Sequence, residues 1–164
     1  LPGRVAPEAL NASRGGIPRT GIARYDQLAV ESEHFERFIR GIEARGFRVR
    51  ASEFIPADNP AFIRPGNRTF YYNPEHMTVL DMMHELKHFQ QLKQAGNLRT
   101  GGGVLFRYEA EVYQFEFQLG TRRGFSQTYM DYLNRQIEWY RFLEQNGGRI
   151  PMNLRWNGTT CMAD

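Results

Sequence analysis

The chain contains very little cysteine and no long apolar run. Cys161 is the only cysteine among 164 residues, so a disulfide within one chain is excluded and a free thiol is expected. No run of eighteen apolar residues is present, and the first residues lack the apolar core of a signal peptide. The sequence therefore predicts no membrane span.

Neither sign of charge is in large excess. The 21 basic and 18 acidic residues give a net charge of +3. The arginines of residues 37–50 belong to elements that also carry Glu33, Glu36 and Glu43, whereas a nucleic-acid surface needs clustered basic residues with interleaved aromatics. We therefore interpret these arginines as a solvated face and expect no nucleic-acid partner.

Length and composition fit one domain. A hydrophobic content of 41% over 164 residues is enough for a single core of ordinary size. Residues 1–24 are rich in proline and glycine and have no apolar period, so they are expected to be a linker or an extended segment. Residues 25–164 are expected to form the single domain.

The apolar periods predict an α+β fold. Helices are expected at about residues 27–45, from Pro74 or Thr78 to Ala95, from about Tyr108 onward, and from Ser126 to Gln145. Thr78 or Asn73 is expected to cap the second of these helices, and Ser126 the last. Between Gly46 and Tyr72, runs that favour β-structure alternate with turn residues and predict short antiparallel strands. The strand that ends in Phe70-Tyr71-Tyr72 has two interpretations: an edge strand that could pair with a peptide substrate, or a strand whose aromatics belong to the core. Gly101–Gly103 is expected in a loop, and Arg149–Asp164 without regular structure.

Two of the four histidines lie in His84-Glu85-Leu86-Lys87-His88, which has the H-E-x-x-H pattern. One helical turn places residues i and i+4 on the same face, so both imidazoles can bind one Zn²⁺. Glu85 lies about 100° round the helix, where it can act as a general base. The apolar residues of this helix fall on the opposite side and predict a core-facing stripe: Val79, Met82, Met83, Leu86 and Phe89.

A catalytic zinc site needs a third protein ligand, and no histidine follows His88. Carboxylates cluster instead in a helical segment with an aromatic stripe, where a buried acid is costly unless it is paired or bound to metal. Glu109 is the first candidate because it is expected to begin this helix. Glu111 is the main rival, and Glu116 is the third choice.

The two segments together resemble a known family. The H-E-x-x-H motif followed by Glu109-Ala110-Glu111-Val112-Tyr113 resembles the glutamate-type zincins, and among them the C-terminal metallopeptidase toxin domains of bacterial polymorphic or Rhs-type secreted proteins. The resemblance covers residues 46–120 and implies a zincin-like domain with one Zn²⁺ per chain. It implies His84, His88 and Glu109 as the ligands, with Val112 at a position where the family often has alanine.

The resemblance also implies a function. It predicts a zinc metallopeptidase that hydrolyses a protein or peptide substrate, with Glu85 as the general base. As the toxin or effector tip of a larger secreted protein, the domain would act inside a target cell and have a cognate immunity protein as partner; without such delivery, a cytoplasmic location is expected. An oxyanion partner is expected among Tyr71, Tyr72, His76, Arg107, Tyr108 and Tyr113.

The alternative hypothesis is a non-enzymatic, basic interaction domain. In that case the histidine helix is part of the surface, and the basic residues bind a protein or nucleic-acid partner. A third hypothesis combines the two: the domain binds zinc but is proteolytically inert and serves in recognition. Metal content distinguishes the non-enzymatic interaction domain from the two zinc-binding hypotheses, and proteolytic activity distinguishes the inert zinc-binding domain from the peptidase.

Overall fold

The computed structural model describes residues 17–95, 103–148, 154–156 and 161–163. It confirms the predicted α+β class: helices make up most of the described chain, and a small sheet packs against them. The helices are α1 Ala23–Asp26, α2 Phe35–Ala44, α3 Val79–Ala95, α4 Gly103–Arg123 and α5 Gln127–Gln145, with a 3₁₀ turn at Ala29–Glu31. Among the described residues, no helix is both long and apolar enough to cross a membrane.

The helix predicted at residues 27–45 is broken in the structure. Gln27 and Leu28 have extended backbones, and Leu28 forms an isolated antiparallel bridge with Thr78. Ala29 N donates to Met77 O, and Val79 N donates to Gln27 O. The prediction of one continuous helix was wrong because these backbone groups bond to the segment before α3, and only α2 continues the helical period.

Three short strands form a mixed sheet: β1 Arg48–Ala51, β2 Ala61–Arg64 and β3 Thr69–Tyr72. β3 lies in the middle, parallel to β1 and antiparallel to β2. Two predictions were therefore wrong, since the sheet is not wholly antiparallel and β3 is not an edge strand. β2 and β3 form a hairpin through the turn at Pro65–Asn67, and the long connection of residues 52–60 leaves β1 to pair with the other side of β3.

The core consists of two hydrophobic clusters, and α3 contributes to both. The first lies between the sheet, α2 and α3, and includes Phe38, Ile42, Phe70, Met82 and Phe89. The second lies among α3, α4, α5 and the first described residues, and includes Ile17, Leu80, Leu119, Phe125 and Leu133. Val79, Met82 and Phe89 are buried, with Met83 and Leu86 packed against them, so the predicted apolar stripe of α3 is confirmed.

The segment before α1 is tied to the start of α5. Ser126 caps α5 as predicted, because its hydroxyl accepts from Tyr129 N. Ser126 also donates from its backbone N to Thr20 O and from its hydroxyl to Arg19 O. Residues 1–16 of the predicted linker lie outside the described residues, while Ile17 and Thr20 are buried.

The end of the chain differs from its prediction. Residues 154–156 and 161–163, within the segment expected to be irregular, form an antiparallel pair of strands, β4 Leu154–Trp156 and β5 Cys161–Ala163. Each strand is only three residues long, which is too short for an apolar period to show in the sequence. Gly101 and Gly102 of the predicted loop lie outside the described residues, and Gly103 begins α4.

The close packing of α4 on α5 generates a stability prediction at Gly120. A Cβ there would lie 2.5 Å from Met130 Sδ and 2.6 Å from a ring carbon of Phe125. We expect Gly120→Ala to lower the free energy of unfolding by about 1 to 3 kcal/mol through overpacking, even though alanine favours the helix. Urea denaturation measures this change. Gly66→Ala is the matched control, because a Cβ at Gly66 meets nothing within 4 Å; equal losses in both variants would contradict the packing argument.

Candidate metal centre

The start of α3 is fixed by reciprocal hydrogen bonds. Thr78 Oγ1 accepts from Asp81 N at 3.2 Å, and Asp81 Oδ2 accepts from Thr78 N at 2.8 Å and from the Thr78 hydroxyl at 2.9 Å. This arrangement is a capping box with aspartate in the place of glutamate. It confirms Thr78 as the cap. Because the helix begins at a fixed residue, the positions of His84 and His88 around it are fixed as well.

Three side chains converge between α3 and α4. Nε2 of His84 and Nε2 of His88 are 3.1 Å apart. Glu109 uses one carboxylate oxygen for each imidazole: Oε2 is 3.4 Å from His84 Nε2, and Oε1 is 3.2 Å from His88 Nε2. One atom from each residue lies within 4.8 Å of the others, so the group could hold a metal ion.

The spacing of these atoms can be compared with zinc coordination. Bonds of about 2.0 to 2.1 Å in a tetrahedral arrangement place neighbouring donor atoms about 3.3 Å apart. The 3.1 Å between the two Nε2 atoms is close to that value. The other two distances, 3.4 and 3.2 Å, use different oxygens of Glu109, so they place its carboxylate beside both nitrogens. Two imidazole nitrogens and one carboxylate also form a donor set typical of zinc and related transition metals, whereas Mg²⁺ and Ca²⁺ prefer oxygen alone.

The other ring nitrogen of each histidine has its own partner. Nδ1 of His84 lies 3.3 Å from Oε2 of Glu116, and Nδ1 of His88 lies 2.9 Å from Oε1 of Gln91. Both partners offer an oxygen acceptor, so each Nδ1 can donate its proton there, and a neutral ring then presents its Nε2 lone pair to the cluster. The histidines are thus oriented for binding a cation through Nε2.

The three candidate glutamates of α4 have different positions. Glu109 meets both histidines, and Glu116 follows seven residues later, on nearly the same face, where it is only 2% exposed. Glu111 lies about 200° round the helix from Glu109. Its side chain is 51% exposed and accepts from Gln91 Nε2 at 3.2 Å, so the structure places it outside the cluster. α4 begins at Gly103, so the expectation that Glu109 begins this helix was wrong.

The charges of the cluster shift the pKa values of its members. Burial by itself lowers the pKa of His84, but the nearby carboxylates of Glu116 and Glu109 outweigh it and hold that pKa well above its usual value. The pKa of His88 is raised because its hydrogen bond to Glu109 likewise outweighs burial. Burial favours a raised pKa for Glu109, yet its hydrogen bonds with the two histidines hold the pKa far below the usual range.

Glu85 lies beside the cluster in a different environment. It is only 8% exposed, and burial raises its pKa to about 7 against the opposing charges of His88 and His84. Glu85 and His84 line a small cavity of about 60 Å³. The same cavity is lined by residues from several elements: Ile17, Asp58–Ala61, Asp81, Tyr113, Glu116, Tyr129 and Tyr132.

Aromatic rings form one wall of this site. The Tyr113 ring packs edge-on against His84 with 4.9 Å between centroids, and it stacks on Tyr140 at 5.7 Å. Among the six residues predicted as oxyanion partners, Tyr113 is the one that lines the cavity with Glu85. Tyr129 and Tyr132 were not predicted as site residues; their only sequence signal was their place on the inward face of α5.

Gln91 and Glu116 were also not predicted in the positions that they occupy. Gln91 lies one turn after His88 on α3, so its helical spacing was a usable signal. Its amide holds His88 Nδ1 through Oε1, and its Nε2 donates to Tyr108 O at 3.1 Å. Glu116 was considered only as a metal ligand. Its contact with His84 depends on how α4 packs on α3, and that packing could not be predicted from the sequence.

A larger cavity, of about 830 Å³, lies between α2 and α3 on another face of the metal-site helix. Its floor includes Phe38, Met82, Met83 and Leu86. None of the three residues that meet in the cluster lines it. Of those three residues, His84 lines the smaller cavity, together with Glu85.

Comparison of the chain with protein-family models, with curated proteins and with solved structures gave no match.

Three glutamates on one helix allow a graded test of the metal centre. We expect Glu109→Gln to lower Zn²⁺ affinity by more than about a hundredfold and Glu116→Gln by about 10- to 100-fold, because Glu116 acts through the orientation of His84. Isothermal titration calorimetry with a competing chelator measures these affinities. Glu111→Gln is the matched control and should change affinity less than about threefold. The assignment would be contradicted if Glu111→Gln had the largest effect.

Proposed function

We propose that the protein is a zinc-dependent peptidase whose metal ligands are His84, His88 and Glu109. The observation that carries this proposal is the convergence of one donor atom from each residue within 4.8 Å of the others, with the buried carboxylate of Glu85 beside His84 in the same small cavity. When bound, Zn²⁺ supplies a Lewis acid that polarises a carbonyl group and lowers the pKa of water. The rest of the chemistry depends on residues of the chain.

Glu85 is the proton carrier in this proposal. Its carboxylate lines the cavity beside His84, where it accepts a proton from the attacking water and later donates it to the leaving amine. Neither His84 nor His88 can take this role, because each uses Nδ1 for a partner and Nε2 for the metal.

A peptide substrate is favoured by the position of β2. β2 is an edge strand, paired with β3 on one side, and residues 58–61 leading into it line the cavity with His84 and Glu85. An extended peptide that adds to an exposed strand edge gains backbone hydrogen bonds and alternates its side chains. We propose that the substrate adds to β2 and passes the cluster in this way.

The biological setting is proposed from sequence resemblance alone. The two motifs resemble those of toxin metallopeptidase domains, so the proposed setting is delivery by a larger secreted protein and neutralisation by an immunity protein. The described structure neither requires nor opposes this setting. The peptidase proposal depends on the cluster and on Glu85, and it is independent of the delivery route.

Proteolysis and metal binding can be separated at Glu85. We expect Glu85→Gln to retain about one zinc per chain but to lose about 10²- to 10⁴-fold in kcat/KM, which is the usual contribution of a general base. A fluorogenic peptide library measures activity, and elemental mass spectrometry measures zinc. Glu111→Gln, an exposed glutamate on α4, serves as the control and should keep full activity. Undiminished proteolysis by zinc-loaded Glu85→Gln would overturn the proposed role.

A further inference from the structure

The face of the sheet that is turned away from the helices carries arginines and aromatic rings. Val49, Phe70 and Ile63 are aligned across the three strands and pack on the core. Side chains alternate along a strand, so the neighbouring positions lie on the other face. This outer face, called here the arginine face, consists of Arg48, Arg50, Phe62, Arg64 and Tyr71.

Two half-buried aromatic rings lie at its centre. Phe62 and Tyr71 are cross-strand neighbours whose rings stack with 5.0 Å between centroids and 21° between planes. The guanidinium carbon of Arg64 lies 5.4 Å from the Phe62 centroid and 5.5 Å from that of Tyr71. Asn67 Nδ2 donates to the Tyr71 hydroxyl at 3.2 Å, which helps to fix this ring. This pair, called here the Phe62–Tyr71 platform, can offer a base the ring faces and edges that the two rings and Arg64 leave uncovered.

The arginines of this face are exposed and are not neutralised locally. Within the described chain, no carboxylate forms an ion pair with Arg48, Arg50 or Arg64. The sequence has no acidic residue in 44–52 or in 60–73, the stretches that contain the three strands. The arginine face is thus a positively charged patch with aromatic rings inside it.

Strand alternation also separates these arginines from the nearby acids. Glu36 and Glu43 lie on α2, which packs through Phe38 and Ile42 on the core side of the sheet. The sequence analysis expected a solvated face because arginines and glutamates are close together along the chain. In the fold, Arg48 and Arg50 lie on the opposite side of the sheet from α2, so that reason for excluding a nucleic-acid partner no longer applies to them.

We infer that the arginine face binds single-stranded nucleic acid. Phosphates would pair with the exposed guanidinium groups, and unstacked bases would stack on the Phe62–Tyr71 platform. Arg48 and Arg50 are about 7 Å apart along β1, and Arg48 and Arg64 about 10 Å apart across the sheet, so the patch accommodates two or three nucleotides. The stacked rings favour this partner over an acidic peptide or an anionic membrane, which would use the arginines alone. The inference does not depend on the metal site or on the proposed peptidase activity.

Fluorescence anisotropy with labelled single-stranded dT15 and U15 tests the inference on the full chain, with and without added zinc. We expect salt-dependent binding, with a slope of log K against log salt concentration of about −2 for three phosphate contacts. Simultaneous Arg48→Gln, Arg50→Gln and Arg64→Gln substitutions should weaken binding at least about tenfold at 50 mM salt. The control carries Arg37→Gln, Arg40→Gln and Arg122→Gln, three exposed helical arginines, and should stay within about twofold of the parent.

The aromatic platform needs a separate variant. Phe62→Leu should weaken oligonucleotide binding about fivefold or more without changing the salt slope, because it removes a stacking surface and no charge. Circular dichroism and zinc content verify that each variant is folded. Three results would overturn the inference: no binding of either oligonucleotide at 50 mM salt, equal losses in the two triple variants, or equally effective competition by polyglutamate or phosphatidylserine vesicles and by unlabelled dT15.

Discussion

The main constraint on the site is the free-energy cost of burying four ionisable side chains together between α3 and α4. His84, His88, Glu109 and Glu116 would each be costly to bury alone. They are tolerable together because every imidazole nitrogen has a nearby partner within the described cluster. A divalent cation among the Nε2 atoms and Glu109 would complete this compensation, since two neutral imidazoles and two carboxylates carry a net charge of −2.

The rest of the fold holds α3 and α4 in the alignment that this cluster requires. α3 is packed on both sides, through Phe89 on the sheet cluster and through Leu80 on the helical cluster. Because α4 also packs along α5, neither ligand-bearing helix can rotate without disturbing a core. The two histidines are nevertheless held differently: a buried charge, Glu116, holds His84, while a neutral amide, Gln91, holds His88. The geometry of the cluster is therefore set by packing and by these two hydrogen-bond partners.

Local sequence signals predicted the parts of the fold that depend on local interactions. The caps at Ser126 and Thr78 follow from hydroxyl residues just before a helical period, and both are confirmed. The apolar stripe of α3 follows from helical spacing and is also confirmed. Strand order could not be predicted. β1 pairs with β3, although β2 comes between them in the sequence, and that choice depends on long-range packing. The sequence also could not choose among the glutamates of α4 from its residues alone, since the choice depends on the rotation of α4 against α3. For the same reason it could not show that Arg48 is separated from the acids of α2.

The most direct test of the metal centre is anomalous X-ray diffraction, measured above and below the zinc absorption edge on crystals of the zinc-supplied protein. Our account predicts one zinc peak between α3 and α4, about 2.0 to 2.2 Å from His84 Nε2, His88 Nε2 and a carboxylate oxygen of Glu109. A folded protein with no zinc peak at this position, or with the peak on Glu111 instead, would contradict it.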